Sequence, residues 1–129
     1  MRCCSAIPGV RVRRTRIADR DIDAVLTNTL ALFGERQLQR YADLIARRLR
    51  SLGDDPSQPT SRDEWEIGQG VRSVHLSDGP VRKRQRASHR IFDVWRPDTD
   101  EVVVLRCLHD RMEVRHRVRL ALRDDLTRS

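Results

Sequence analysis

Lysine is almost missing from this chain: of 26 basic residues only Lys83 is lysine, and the rest are arginine. Aromatics are nearly as scarce, at 4% of the residues. Phe33, Tyr41, Trp65, Phe92 and Trp95 are too few and too scattered to form a stacking platform for single-stranded nucleic acid. Each is instead a candidate packing anchor. Cysteine occurs three times, as Cys3, Cys4 and Cys107, and an odd count with two adjacent residues argues against a disulfide framework. A reducing cytoplasm fits, with Cys107 expected as a small core residue. No apolar run approaches the roughly 20 residues that span a bilayer, so neither membrane association nor a signal peptide is expected. His75, His89, His109 and His116 have no metal-ligand spacing with one another or with Cys107. No metal and no cofactor is therefore expected.

What is present is charge. Charged residues make up 35% of the chain and hydrophobic residues 38%, with a formal net charge of +7. Such a balance leaves a modest core and favours an acidic partner through the long-range field. Arginine suits bidentate contact with carboxylate or phosphate, although coding bias gives the same composition, so nucleic-acid binding does not follow from it. At 129 residues one domain is expected, over residues 10–125, with residues 1–9 as a disordered extension.

The hydrophobic period changes along the chain. Residues 10–16 alternate Val and Arg, as an edge strand would. Ile22, Val25, Leu26, Thr29, Leu30 and Phe33 then lie on one helical stripe, predicting a helix over residues 19–33 that Gly34 ends. A second stripe of Leu38, Tyr41, Ala42, Ile45, Leu49 and Leu52 follows at once, so the two helices form an antiparallel hairpin. On that stripe Tyr41 reads as a core residue, and Leu44 lies off it. Residues 54–70 read as a polar loop anchored by Trp65 and Ile67, and residues 71–77 as a strand. Residues 78–88 read as a turn carrying Arg82, Lys83, Arg84 and Arg86, a mobile charged tip. Residues 87–95 alternate, with Arg90, Phe92 and Val94 opposite His89, Ile91, Asp93 and Trp95. Pro97-Asp98-Thr99-Asp100 supplies turn chemistry. Val102-Val103-Val104-Leu105 has the pattern of a strand covered on both faces. Residues 113–125 place Val114, Val118, Ala121 and Leu122 at helical spacing. The fold class is α+β, β-α-α-β-β-β(-α), an antiparallel sheet packed against a helical hairpin.

Three motifs in this order resemble the RelE/ParE superfamily of bacterial toxins. The hairpin and its end, HRIF…VVVLRCLHDRM, are similar to the superfamily's C-terminal signature, closest to the ParE branch. Ala18, Asp21, Ile22, Phe33, Gly34, Glu35 and Tyr41 match the helical hairpin of that branch, and Gly70 with Arg72 resembles its entry into the second strand. The resemblance implies the toxin of a type II toxin–antitoxin pair that poisons DNA gyrase. It also implies neutralisation by a ParD-like antitoxin with an acidic, disordered C-terminal segment, and contact with operator DNA only through the antitoxin complex.

The superfamily also contains RelE-like, ribosome-dependent mRNA endonucleases. Such chemistry needs a base, guanidinium groups on the phosphate and an acid, for which Glu64 or Glu66, Arg72, Arg90 and His109 are the candidates. Asp93 and Asp110 stand where that branch would carry aromatics, which places carboxylates where RNA approaches and removes a stacking surface. No catalytic residue is therefore expected. Arg72, Arg106, His109 and Arg111 are the candidates for contact with the target, and His109 reads as a hydrogen-bonded link to Asp110 or Arg111. Leu44 is the candidate for antitoxin binding, in a groove made by the two helices and the sheet edge. The remaining alternative is a non-toxic protein of the same fold that acts only within the antitoxin complex.

Overall fold

The computed structural model describes residues 10–55, 61–76, 89–109 and 113–128. In chain order these form β1 (Arg11–Arg14), α1 (Arg16–Phe33), α2 (Glu35–Asp54), β2 (Arg62–Asp63), β3 (Val71–His75), β4 (His89–Arg96), β5 (Glu101–His109) and α3 (Arg115–Arg128). The sheet runs β1-β5-β4-β3-β2. It is antiparallel except at one edge, where β1 pairs with β5 in parallel and Val12 lies opposite Val102. The expected antiparallel sheet is thus a mixed one. Its far edge also carries β2, whose two residues are too short to show any alternation.

Local chemistry sets the helix ends. Thr15 caps α1: its Oγ1 accepts the Ala18 N–H at 3.1 Å and donates to the Leu105 carbonyl at 3.1 Å. The helix consequently begins at Arg16, three residues before the predicted start at Asp19. Gly34 closes it at φ 89°, a conformation that favours glycine, and its N–H reaches the Leu30 carbonyl. α2 starts at the next residue, which makes the two helices neighbours.

The sheet is buried on both sides. The helical hairpin covers one face, where Val74, Leu76, Ile91, Val102, Val104 and Cys107 meet Val25, Tyr41, Leu44 and Ile45. α3 covers the other, where Phe92, Val94, Val103, Leu105 and Leu108 meet Val118 and Ala121. The run Val102-Val103-Val104-Leu105 divides between the two clusters, as its unbroken hydrophobicity implies. Asp125 fastens α3 across the sheet by accepting from Arg96 on β4 at 2.6 Å and meeting Arg13 on β1 at 3.0 Å. At Gly68 an added Cβ would lie 2.7 Å from Leu122, so the loop there approaches α3 closely.

Two stripes sit differently from their periodicity. On α2 the buried set is Tyr41, Leu44, Ile45, Arg48 and Leu52, rotated toward Leu44. On α1 the stripe outruns the core: Leu30 is exposed, as are Leu32 and Phe33 at 73% and 70%. Trp65, expected as an anchor, is exposed at 71%. Residues 1–9, the turn at residues 78–88, and Asp110, Arg111 and Met112 lie outside the described residues.

Candidate functional site: a groove and a cleft at one end of the sheet

The end of β3 and β5 and the start of β4 bring histidines together. His89 and His109 are cross-strand partners at the first pair of the β4–β5 ladder. Their rings meet edge to face with centroids 5.1 Å apart. Tyr41 comes in from α2, its hydroxyl 2.6 Å from His89 Nδ1. Tyr41 is therefore buried, as its stripe predicts, yet it also presents a polar end to the site.

On the hairpin side of this cluster lies an open groove of about 670 Å³. Its wall is the C-terminal half of α1, with Val25, Leu32 and Phe33, and its base carries Tyr41, His89 and His109. The apolar residues at the end of α1 thus face a concavity as well as solvent. Sequence reasoning assigned Phe33 to the core because a stripe does not reveal where the sheet beneath it ends.

On the α3 side lies a smaller cleft of about 300 Å³, lined by Arg62, His75, Arg90, Phe92 and His109 among others. The Ser73 hydroxyl donates to Glu64 at 2.6 Å and accepts from Arg90 at 3.0 Å. Arg62 Nε donates to the same Glu64 carboxylate at 3.1 Å. Two guanidiniums on different strands are thus held by one carboxylate and one hydroxyl. His109 walls both concavities.

The structure sorts the sequence candidates unequally. Arg90 and His109 share the cleft, with Glu64 beside them, whereas Glu66 lies against Arg115 on the surface. Arg72 does not join them. It shares a face of β3 with Val74, toward the helical hairpin, and it donates to Ser61 Oγ at 2.9 Å and to the Ser61 carbonyl at 3.0 Å. Arg106, expected to meet the target, is 9% exposed and pairs with Asp21. Neither Arg72 nor Arg106 lines either concavity. Arg111 lies outside the described residues. Leu44 is 4% exposed and packed in the core, so it offers no surface to an antitoxin. Leu32 and Phe33 are the exposed apolar residues at the groove.

Asp93 corrects another expectation. It faces Arg72 across the β3–β4 ladder and is fully buried, so it does not oppose an approaching polyanion. Neither of its carboxylate oxygens has a hydrogen-bond partner. Desolvation pushes its pKa up to about 7, against the opposing pull of Arg72. Among the described residues no group of three or more His, Cys, Asp or Glu side chains could hold a metal ion, and no helix is long and apolar enough to cross a membrane.

The family model for "ParE toxin of type II toxin-antitoxin system, parDE" matches residues 12–114. No curated protein sequence matches significantly. Among solved structures, the chain is similar to one in the chromosomal ParDE toxin–antitoxin system from P. aeruginosa. The TM-score is 0.60 at 21% identity, covering 78% of this chain and 95% of that one. It is also similar to a chain of the RelBE2 toxin–antitoxin complex from Mycobacterium tuberculosis. There the TM-score is 0.51 at 20% identity, covering 78% of this chain and 98% of that one. At these identities the structural likenesses speak for the fold.

Proposed function

Because this chain belongs to the ParE toxin family of type II toxin–antitoxin systems, we propose that it arrests growth by poisoning DNA gyrase and does so without cutting nucleic acid. The observation that carries the second half is the separation of Arg72 from Arg90 and His109. A 2′-hydroxyl attack on phosphate needs charge stabilisation and proton transfer converging on one group of atoms. Here Arg72 is engaged with Ser61 on the hairpin side, while Arg90 and His109 line the cleft on the α3 side. Glu64, the nearest candidate base, already accepts from Ser73 and Arg62.

The antitoxin occupies the groove. Leu32 and Phe33 supply exposed apolar surface, and the net charge of +7 favours an acidic segment that folds as it binds. Operator DNA is reached through the antitoxin, and the pair works in the cytoplasm. A ParD-like antitoxin is the partner most consistent with the family.

One observation favours a second reading: Arg90 and His109 do share a cleft, as a RelE-like endonuclease would require. Mapping mRNA ends after adding purified protein to translating ribosomes separates the two. The gyrase reading expects the ends seen in the control; codon-phased cuts would establish the ribonuclease. Hydrogen exchange tests the antitoxin site, with added protection expected at the C-terminal half of α1. Protection confined to other segments would contradict the groove.

A further inference from the structure

Trp65 is 71% exposed, although an indole is among the side chains that gain most from burial. The turn that carries it is nonetheless firmly built. The Glu64 carbonyl accepts the Ile67 N–H at 2.9 Å, and the Glu64 N–H donates to the Val71 carbonyl at 2.9 Å. Ile67, two residues on, is buried in the cluster beneath α3. α3 holds the same turn from its own side. Arg119 donates to the Glu66 carbonyl at 2.8 Å and to the Ile67 carbonyl at 3.4 Å, and Arg115 meets the Glu66 carboxylate at 3.3 Å. The indole is thus presented on a braced backbone, which spares a partner the cost of ordering that turn.

The flank of α3 beside the turn complements the indole. Arg115, Arg119 and Leu126 lie at i, i+4 and i+11, along one side of the helix, and Leu126 is 59% exposed. Arg119 reaches only carbonyls among the described residues, so no carboxylate there neutralises it. Tryptophan and arginine are the residue types that dominate the energy of protein–protein interfaces. A guanidinium accepts carboxylate and phosphate alike. The indole and Leu126 decide between them, because a protein surface offers apolar cover for both and a nucleic-acid backbone does not. The arginines that the sequence assigned to the target are meanwhile engaged elsewhere, Arg72 with Ser61 and Arg106 with Asp21.

We propose that the Trp65 turn and this flank of α3 hold the protein target, with the indole in an apolar pocket and Arg119 against a carboxylate at its rim. The proposal rests on the reading of gyrase as that target. The surface belongs to the α3 side of the sheet and the groove to the hairpin side, so antitoxin affinity does not depend on it.

The test immobilises the full chain and measures binding of purified gyrase without DNA, alongside plasmid linearisation by gyrase and ATP. Trp65→Ala should weaken binding by about thirtyfold, as loss of a dominant interface aromatic does, and Trp65→Phe should recover part of it. Leu126→Ser should also bind more weakly, whereas Arg47→Gln on the exposed side of α2 should match wild type. Arg119→Gln keeps a donor for the carbonyls, so its expected signature is weaker binding with a flatter salt dependence. Linearisation should fall in parallel, while antitoxin affinity and the unfolding midpoint of Trp65→Ala stay at wild-type values. Full binding and poisoning by both Trp65→Ala and Leu126→Ser would overturn this surface and leave gyrase as the target. Loss of antitoxin affinity together with gyrase affinity in Trp65→Ala would assign the turn to folding and overturn it too. Equal weakening of gyrase binding and of binding to DNA alone would assign the surface to nucleic acid. Wild-type protein that neither binds nor poisons gyrase would remove the gyrase reading itself.

Discussion

Asp21 on α1 holds Arg106 on β5 in a bidentate pair, at 2.6 and 2.9 Å, and the same carboxylate accepts the Cys107 backbone N–H at 3.0 Å. An irregularity in the sheet lies beside this contact. Phe92 lies opposite Arg106 while Asp93 lies opposite Val104, so Leu105 is the extra residue of a bulge. The bulge changes the alternation of β5, so that Cys107 joins Val102 and Val104 on the face of the helical hairpin. The pair clamps the helical hairpin to the central strand. Next to it, burial pushes the Cys107 thiol up to about 12, so this cysteine is an inert core residue.

Removing one partner of such a pair leaves a buried charge uncompensated. Asp21→Ala is expected to destabilise the fold by about 3–5 kcal/mol, measured by urea denaturation, with Arg106→Ala similar. Any loss of growth arrest in either variant should then track the loss of folded protein. A stably folded Arg106→Ala protein that binds antitoxin but has lost toxicity would return Arg106 to the target surface.

Asp93 gives the protein a pH dependence with a definite sign. Its folded pKa, about 7, stands above the ordinary value of 3.8 because burial disfavours the carboxylate. The folded state therefore binds the proton more tightly. The associated stability is complete below pH 4, falls as pH rises, and is gone above pH 7. The full effect is on the order of 4 kcal/mol. Asp93→Asn should lack this component, so the difference in stability between variant and wild type should grow between pH 4 and pH 7 and then level off. A constant difference over that window would mean that Asp93 is ionised in the folded protein.

Tyr41→Phe keeps the buried ring and deletes the 2.6 Å contact with His89. A loss of about 0.5–1.5 kcal/mol is expected in denaturation. The chemical shifts of the His89 and His109 imidazoles should both move, since their rings are in contact. Movement of His89 alone would show that the two rings do not act as a unit.

The elements were legible where chemistry is local. The Gly34 break, the turn at residues 97–100 and the doubly covered Val102-Val103-Val104-Leu105 all follow from side chains within a few residues. What was not legible depends on partners far away in the chain. Nothing around Asp93 shows that Arg72 lies across the ladder, and nothing around Arg106 shows that its partner is Asp21, 85 residues earlier. Leu44 was misplaced because α2 has two overlapping stripes, and only the packed sheet selects the one containing Leu44 and Arg48. In the candidate site Arg90 and His109 were foreseen. Arg62 was missed because it comes from a two-residue strand without a sequence pattern, and His75 because its neighbours in the cleft lie on other strands.

His109→Gln separates the roles assigned to that side chain. Glutamine retains a donor and comparable length, so the variant should fold, bind antitoxin and still arrest growth. A general acid would supply about 10²–10⁴-fold in rate, and its loss would be unmistakable. Growth on induction, with antitoxin binding as the folding control, provides the readout; a folded, antitoxin-binding but harmless variant would favour the ribonuclease.

Poisoning of gyrase without cleavage of nucleic acid by the protein itself, as proposed, has a direct test. Purified protein should be incubated with gyrase, ATP and supercoiled plasmid, and the products resolved after protease and detergent treatment. Accumulation of linear, gyrase-linked DNA that cognate antitoxin abolishes is the predicted result, with no cleavage when gyrase is omitted. Unchanged supercoiling and no linear product, from folded protein that arrests growth in cells, would rule out gyrase as the target.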